Sequence, residues 1–218
     1  MVSLLTQTHR PAILIDWATY DAARFACRRW HYSRTLPAGK LVKYGVWEGG
    51  AFIGVVIFSR GATPKLGSPY GLEQTECCEL TRVALTAHVT PVSRIIALCL
   101  RQLRRFMPGM RLVVSFADAQ RGHHGGIYQA GNWLYTGCNM THEFTVLGRK
   151  WHPKSLHMKY GVGGQSVPWL RAHIDPNASV YRKNGKHRYL MPLDEGVRRR
   201  VAHLCKPYPK RAAHAVAS

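Results

Sequence analysis

The chain has 218 residues, of which 46% are hydrophobic, and this is enough to form one domain with a buried core. Its 31 lysines and arginines against 11 acidic residues give a formal net charge of +20, which predicts a polyanionic partner. Because no apolar run approaches the roughly 20 residues that span a bilayer, nucleic acid is favoured over a membrane.

The positive charge is concentrated towards the end of the sequence. Residues 149–218 contain 15 basic and 3 acidic side chains, whereas residues 1–148 contain 16 and 8. We therefore expect one domain over residues 1–218, with a basic C-terminal part over residues 149–218 that contacts phosphates. The expected contacts to nucleic-acid phosphates are Lys150, Lys154, Lys159, Arg182, Lys183, Lys186 and Arg188. A basic surface that is merely solvated is the alternative.

The cysteines and the N-terminus indicate the compartment. The six cysteines form no CxxC pair, which disfavours a zinc ribbon and predicts reduced, mostly structural thiols. The N-terminal segment lacks the basic start and the apolar run of a signal peptide. We expect a cytoplasmic protein whose oligomeric state the sequence leaves open, a dimer included.

The first elements predicted along the chain are a helix and an antiparallel hairpin. Residues 20–30 have helical spacing of apolar positions and can be capped by Thr19 or Asp21. Residues 41–47 and 51–59 predict two strands, joined by a turn containing Gly49 and Gly50. After a loop rich in Gly, Pro and Ser, residues 78–85 alternate as a half-buried strand does.

A second helix and a buried strand follow. Thr90 as N-cap and Pro91 at the first helical position predict a helix that ends before residues 107–109. Residues 112–116 predict a strand buried on both faces, which stops near Asp118. A turn of glycines and histidines then leads into a predicted helix that bears Tyr128, Asn132 and Tyr135. Further strands are predicted at residues 144–147 and 189–191, and the pattern weakens from residue 151 onward.

The end of the buried strand is the candidate active site. A carboxylate at such a position usually lines a crevice, and the glycines after it allow positive φ and close backbone approach. We therefore expect Asp118, His123 and Tyr128 to converge on one small volume.

Two family resemblances rest on these segments. The order of elements resembles the GNAT acyltransferase superfamily, in which helices flank a mixed sheet that splays open between its fourth and fifth strands to hold the donor. The closer resemblance is to the Mom family of DNA modification proteins of phage Mu and related elements. It rests on Arg29-Trp30-His31-Tyr32-Ser33-Arg34, Glu79-Leu80-Thr81-Arg82, Pro91-Val92-Ser93, Ala117-Asp118 with Gly122-His123 and Gly125, Ile127-Tyr128-Gln129-Ala130 with Asn132-Trp133 and Gly137, Lys186-His187-Arg188-Tyr189, and Pro192-Leu193-Asp194.

The resemblance implies both a fold and an activity. The fold is a mixed α/β fold of GNAT type with a splayed sheet. The activity is conversion of adenine in duplex DNA to N6-carbamoylmethyladenine, which protects phage DNA from host restriction. The alternatives are GNAT-like acetylation of a protein or small amine, and a basic DNA-binding protein without catalysis.

This chemistry needs a base and an acid, because the lone pair of adenine N6 is delocalised into the ring. Asp118 is the first choice to bind or deprotonate the N6 amine, and a cap on the next helix is its alternative. Tyr32 and His31 are candidates for stacking on a flipped base and for proton transfer. Tyr128 is either a proton donor, by analogy with the acyltransferase helix, or a core aromatic.

Other residues are candidates for binding a donor or a metal. Ser93 and Arg94, in the first turn of the second helix, and Arg82, on the preceding strand, are candidates for holding an anionic part of the donor. His123 with His31 and Asp118 is considered as a site for iron or another divalent ion, against the alternative of ordinary histidines.

The donor itself is left open between two chemistries. The stretch after Leu85 lacks the glycines that usually wrap a CoA pyrophosphate, which argues against an acyl-CoA. A carbamoylmethyl group on N6 is a glycinamide unit, so glycyl-tRNA is the second candidate and would make tRNA a second nucleic-acid partner.

Overall fold

The computed structural model describes residues 11–61 and 63–210. The described chain forms two compact units: unit one contains residues 11–116, 125–137 and 188–210 except residue 62, and unit two contains residues 117–124 and 138–187. The single domain with a basic C-terminal part stays a prediction. Residues 1–10, from which we argued against a signal peptide, lie outside the described part.

Six helices and eight strands follow one another along the described chain. The helices are α1 (Tyr20–Trp30), α2 (Val92–Phe106), α3 (Gly126–Gln129), α4 (Pro153–Tyr160), α5 (Val167–His173) and α6 (Glu195–Val201). The strands are β1 (Ile13–Trp17), β2 (Leu41–Glu48), β3 (Ala51–Ser59), β4 (Cys77–Leu85), β5 (Leu112–Asp118), β6 (Leu134–Val146), β7 (Arg149–Trp151) and β8 (Ser179–Pro192).

The mixed sheet of unit one is formed by β1 to β4, residues 112–116 of β5, residues 188–192 of β8 and residues 134–137 of β6, in the order β1-β2-β3-β4-β5-β8-β6. Strands β1 to β4 pair antiparallel with their neighbours, and β4 pairs parallel with β5. The β4–β5 register runs only from Cys77 opposite Leu112 to Leu80 opposite Ser115, although β4 continues to Leu85. The mixed α/β fold with a sheet that splays between its fourth and fifth strands is therefore confirmed.

Helices cover both faces of this sheet. On one face Ala23, Ala26 and Cys27 of α1 are fully buried in a cluster with Val55 and Ile57 of β3. Successive strand residues point to opposite faces, so Phe58 faces the other side. There it lines a cavity of about 400 Å³ together with Leu103 of α2. This cavity lies at the N-terminal end of β4, and none of the predicted site residues lines it.

Unit two is built on a short antiparallel pair. Strand β7 pairs with β6, with Phe144 opposite Trp151 and Val146 opposite Arg149. The buried core of this unit comprises Phe144, Val146, Leu156, Leu170 and Ala178, which come from β6, α4, α5 and the segment after α5.

The predicted elements of the first two thirds are confirmed, with two corrections. Helix α2 begins at Val92 with Pro91 as its N-cap, so Thr90 is not the cap. The long helix predicted to bear Tyr128, Asn132 and Tyr135 is wrong: α3 is one turn, Asn132 has a φ of 57°, and Tyr135 lies on β6. All six cysteines are free thiols, as predicted. No helix in the described ranges is long and apolar enough to cross a bilayer.

Candidate active site

Tyr128 and Ser115 lie where β4 and β5 stop pairing. The Tyr128 hydroxyl is 2.8 Å from Ser115 Oγ, and Ser115 Oγ is 2.9 Å from the Leu80 carbonyl oxygen. A carbonyl only accepts, so the single serine proton goes to Leu80 and the tyrosine hydroxyl donates to Ser115. Ser115 is fully buried and Tyr128 is 7% exposed. The phenol is therefore oriented by a fixed chain of two hydrogen bonds.

The surroundings of Tyr128 keep it protonated. Burial raises the pKa of Tyr128 to about 12, and Tyr32, Glu79 and Tyr189 reinforce this rise. The rings of Trp133 and Tyr189 each lie 5.1 Å from the Tyr128 ring. At neutral pH this group is a neutral phenol in an aromatic pocket.

The rings of His31 and Tyr32 pack against each other directly after α1, at an interplanar angle of 31°. Their ring centroids are 4.3 Å apart, and 48% of Tyr32 is exposed. The backbone N–H of Ser33 donates to His31 Nδ1 at 3.1 Å, so in the neutral imidazole the proton is on Nε2. This turn therefore presents an accessible aromatic face and a histidine whose tautomer is fixed.

Arg82 holds the same turn in place. Its Nε donates to the Thr35 carbonyl at 3.2 Å and its Nη1 to the Thr81 carbonyl at 2.8 Å. The guanidinium thus ties the segment after α1 to β4. Its predicted role in holding an anion of the donor stays a prediction.

The start of α2 is bound by an internal carboxylate. Glu48 accepts from the backbone N–H of Val89 at 2.9 Å and from that of Thr90 at 2.8 Å, and these hydrogen bonds lower its pKa. Ser93 and Arg94 lie in the first turn of α2, Ser93 half-buried and Arg94 exposed. The amides of the turn before α2 are therefore already paired with a negative charge.

In unit two, Asp118 acts as a cap. Its Oδ1 accepts from Gln120 N–H at 3.0 Å, and its Oδ2 lies 3.9 Å from Arg121 Nε. The His123 N–H donates to the Asp118 carbonyl at 3.1 Å, which closes the turn. Asp118 and His123 thus lie in one turn, joined by a backbone hydrogen bond, while the predicted convergence of their side chains stays a prediction. Their convergence with Tyr128, which belongs to unit one, stays a prediction.

The predicted metal ligands do not form a metal site. Within residues 11–61 and 63–210, no three His, Cys, Asp or Glu side chains come together as a site would require. A metal held by His31, His123 and Asp118 does not fit this arrangement.

Some of the predicted DNA contacts already have partners within the protein, and others are exposed. Lys183 Nζ and Lys150 Nζ share the Glu143 carboxylate at 2.6 and 3.6 Å, and Lys159 Nζ lies 4.9 Å from the Trp151 ring. Lys154, Arg182 and Lys186 are exposed in unit two, and the Arg188 guanidinium lies 6.0 Å from the Phe116 ring in unit one.

Sequence reasoning assigned no role in the site to Ser115, Glu79 or Glu48. Ser115 is a polar residue within the apolar run of β5, and that interruption is the local signal that could have identified it. Glu79 is a carboxylate on the otherwise largely buried first half of β4. Glu48 carries no local signal, because its hydrogen-bond partners lie 41 and 42 residues further along the chain.

Comparison with known proteins identifies the class of this protein. The chain belongs to the Mom protein family, which it matches over residues 12–210. It is 30% identical over 195 residues to the methylcarbamoylase Mom of Escherichia phage Mu, covering 86% of this chain and 80% of that protein.

Solved structures with a similar fold come from other proteins. One is FeeM, an N-acyl amino acid synthase from uncultured soil microbes, with a TM-score of 0.47, 10% identity, and coverage of 88% of this chain and 97% of FeeM. Another is yncA of Salmonella typhimurium, described as a candidate acetyltransferase and solved with acetyl-CoA. It has a TM-score of 0.47 and 13% identity, covering 84% of this chain and 95% of yncA.

Proposed function

We propose that this protein is a transferase that converts adenine in duplex DNA to N6-carbamoylmethyladenine and so protects phage DNA from host restriction. The observation that carries the proposal is the Mom family match over residues 12–210, together with a phage Mu relative that is a methylcarbamoylase. A formal charge of +20 supports nucleic acid as the substrate.

The reaction exchanges one N6–H bond of adenine for a bond to the transferred group, and the bond between that group and its donor breaks. The proton leaves N6, and the donor leaves as the CoA thiol or as the tRNA 3′-terminal hydroxyl, which takes up one proton in the net balance. An adenine stacked in a duplex cannot reach a protein pocket, and we infer that the base is flipped at a cost of a few kcal/mol. The exposed face of Tyr32 supplies the stacking surface, and the buried Trp133 supports the wall behind Tyr128.

Tyr128 is assigned to orient the amine. Its own proton is donated to Ser115, so the outward lone pairs of its oxygen accept an N6–H. With a pKa near 12 it is not ionised at neutral pH, so it does not serve as the base. Its role is to hold N6 in position.

Asp118 and His31 are assigned the proton chemistry. The Oδ1 of Asp118 accepts from the Gln120 N–H, and its Oδ2 lies 3.9 Å from Arg121 Nε, so Oδ2 is the oxygen that we assign to take the N6 proton. His31 Nδ1 accepts from the Ser33 N–H, and His31 is assigned as the second group for proton transfer.

The donor is either an acyl-CoA or glycyl-tRNA, and the start of α2 bears on the choice. Ser93, Arg94 and Arg82 are the proposed anion contacts. The Val89 and Thr90 amides, which would otherwise face a phosphate at this helix terminus, are taken by Glu48. This supports glycyl-tRNA over acyl-CoA. Ribonuclease treatment of an active extract separates the two, because only a tRNA-dependent reaction is lost.

Nucleoside analysis tests the function. The chain is expressed in bacteria, and the genomic DNA is digested and examined by mass spectrometry for carbamoylmethyl-deoxyadenosine. We expect the modified nucleoside with the natural protein and with Asp16→Asn, a surface carboxylate control, and a loss of about 100-fold or more with Asp118→Asn.

Three results would count against parts of the proposal. Only ordinary nucleosides from cells with the natural protein would overturn the function. Full modification by Asp118→Asn would remove Asp118 from the chemistry. Acetylation of a protein or small amine without any DNA modification would establish the alternative acetyltransferase function.

A further inference from the structure

Helix α1 presents an unusual concentration of arginine to solvent. Arg24, Phe25, Arg28 and Arg29 are all exposed, whereas Ala23, Ala26 and Cys27 on the opposite side are fully buried. On a helix, residues four apart are neighbours with Cβ atoms about 5–6 Å apart, so 24 with 28 and 25 with 29 form adjacent rows. One continuous face therefore carries three guanidinium groups and an aromatic ring.

The turn after α1 adds a fourth arginine to the same place. Arg34 is exposed and has a φ of 52°, a left-handed conformation that is uncommon for residues other than glycine. It lines a shallow depression of about 540 Å³ whose other walls are Asp21, Arg24, Phe25, Arg28 and Arg29. The backbone is thus held in a costly conformation that brings Arg34 to the arginines of α1.

The protein does not neutralise this charge. Asp21 is the one acid lining the depression, and it pairs with Arg24 at 3.4 Å through two well-exposed side chains, a geometry of little strength. In the part of the chain that the structure describes, Arg28, Arg29 and Arg34 make no ion pair and no side-chain hydrogen bond. Clustered like charges repel, and an anionic partner relieves that repulsion.

Helix stability explains only part of the cluster. Arg28 and Arg29 lie in the last turn of α1, where cations favourably face the helix dipole. Arg24 lies before that turn and Arg34 lies beyond the helix. Their presence in the same depression needs another reason.

The aromatic residues identify the partner. Phe25 is 55% exposed and is held edge-on against Trp30 at 5.3 Å, so its ring is fixed among the arginines. Exposed aromatic rings interleaved with cations are typical of surfaces that follow a nucleic-acid strand, where the cations contact phosphates and the rings contact bases. α1 then continues directly into His31 and Tyr32, the proposed base-contacting pair.

We propose that the α1 surface, defined as Arg24, Phe25, Arg28, Arg29 and Arg34, binds the DNA strand that flanks the target adenine. This inference rests on the proposed function and adds to it a contact surface in unit one, separate from the lysines predicted in residues 149–218. Because Tyr32 follows directly after the end of α1, a strand bound on the α1 surface places its flipped base near Tyr32.

A charge-matched comparison tests the α1 surface. One variant carries Arg24→Ala, Arg28→Ala and Arg34→Ala, and the control carries Arg101→Ala, Arg104→Ala and Arg105→Ala, three exposed arginines of α2. Binding to a fluorescent duplex of about 20 base pairs is measured at several salt concentrations, and circular dichroism checks that both variants are folded. Each lost phosphate contact changes the slope of log affinity against log salt by about 0.9.

We expect the α1 variant to lose two to three such contacts and at least tenfold in affinity, with little change in the control. Equal losses in both variants, or none in the α1 variant, would overturn the proposal. The DNA assignment would also be overturned if the α1 variant bound the duplex normally but lost affinity for a single-stranded RNA of equal length.

The readout separates this inference from the proposed function. A natural protein that binds duplex DNA through α1 but yields no modified nucleoside contradicts the function and supports the surface. A natural protein that modifies DNA while the α1 variant binds and modifies equally well contradicts the surface alone.

Discussion

The Tyr128 hydroxyl donates to Ser115 Oγ across 2.8 Å, at the point where the paired register of β4 and β5 ends. Ser115 in turn donates to the Leu80 carbonyl oxygen. One buried serine therefore connects β5 to β4 at the last paired position and also orients the phenol of the candidate active site. Stability and orientation of the phenol therefore depend on the same residue.

Ser115→Ala is expected to destabilise the protein more than Tyr128→Phe does. The alanine leaves a buried phenol O–H and a carbonyl without their partner, which costs about 1–3 kcal/mol. Phenylalanine leaves the Ser115–Leu80 bond intact and removes one neutral hydrogen bond, a loss of about 0.5–1.5 kcal/mol. Urea unfolding measures both changes, and the double variant gives the coupling. A Ser115→Ala protein as stable as the natural one would contradict the assigned hydrogen bonds.

Arg82→Lys is expected to loosen the turn that carries His31 and Tyr32. Lysine keeps the charge but cannot donate along two directions from a planar group, so the bonds to Thr35 and Thr81 are not both retained. Amide hydrogen exchange at residues 33–36 should accelerate in the variant. Arg94→Lys, at an exposed position of α2, is the matched control. Unchanged exchange in Arg82→Lys would show that the guanidinium does not anchor this turn.

Glu48 predicts a pH dependence of stability. Its pKa is lowered from an ordinary 4.5 by the Val89 and Thr90 hydrogen bonds, so the folded state favours the carboxylate. This contribution is fully present above the unfolded pKa and is lost as pH falls through the folded pKa. The unfolding free energies of the natural protein and Glu48→Gln should therefore differ at pH 7 and converge as the pH falls through the lowered pKa of Glu48 in the folded state. A difference that persists unchanged at low pH would contradict the assignment.

The same carboxylate predicts weak binding of CoA. It occupies the amides in front of α2, so a phosphate there meets a negative charge instead of free N–H groups. We expect Glu48→Ala to raise the affinity for CoA by about tenfold in calorimetry. The control is Glu73→Ala, at an exposed glutamate outside this turn. It changes the net charge equally and should not raise the affinity for CoA. Tight CoA binding by the natural protein that Glu48→Ala leaves unaltered would remove Glu48 from donor selection.

Local sequence patterns predicted the elements that depend on local chemistry. Residues 20–30 have helical spacing and the Thr19 cap, and Gly49 and Gly50 at positive φ close the hairpin, so both elements were predicted within a residue or two. The predicted length of helix α3 was wrong. The apolar spacing after residue 129 favours a longer helix, but Asn132 has a positive φ and α3 is only one turn long.

The site was predicted less completely because its contacts are long-range. Asp118 and His123 are neighbours in sequence, and their shared turn was predicted. The bond from Ser115 to Leu80 requires parallel pairing across 35 residues, and the Glu48 bonds connect a hairpin to the start of α2. No local window of sequence contains both partners of either interaction.

Glu143 controls two of the predicted DNA contacts in unit two. Its carboxylate pairs with Lys183 at 2.6 Å and Lys150 at 3.6 Å, and Lys183 above all lowers its pKa, so it is ionised at neutral pH. A phosphate must compete with this carboxylate for both lysines. Glu143→Gln keeps the shape of the side chain and releases the two cations, so the affinity for duplex DNA should rise a few-fold. The slope of log affinity against log salt should steepen by about 0.9 for each lysine recruited.

Glu195→Gln, in the first turn of α6 in unit one, changes the net charge equally and serves as the control. Fluorescence anisotropy over a range of salt concentrations measures both variants. A greater gain for Glu143→Gln than for Glu195→Gln places Lys150 and Lys183 on the DNA. Equal gains mean that only net charge matters and that these two lysines are bound by Glu143 for the stability of β6 and its neighbours.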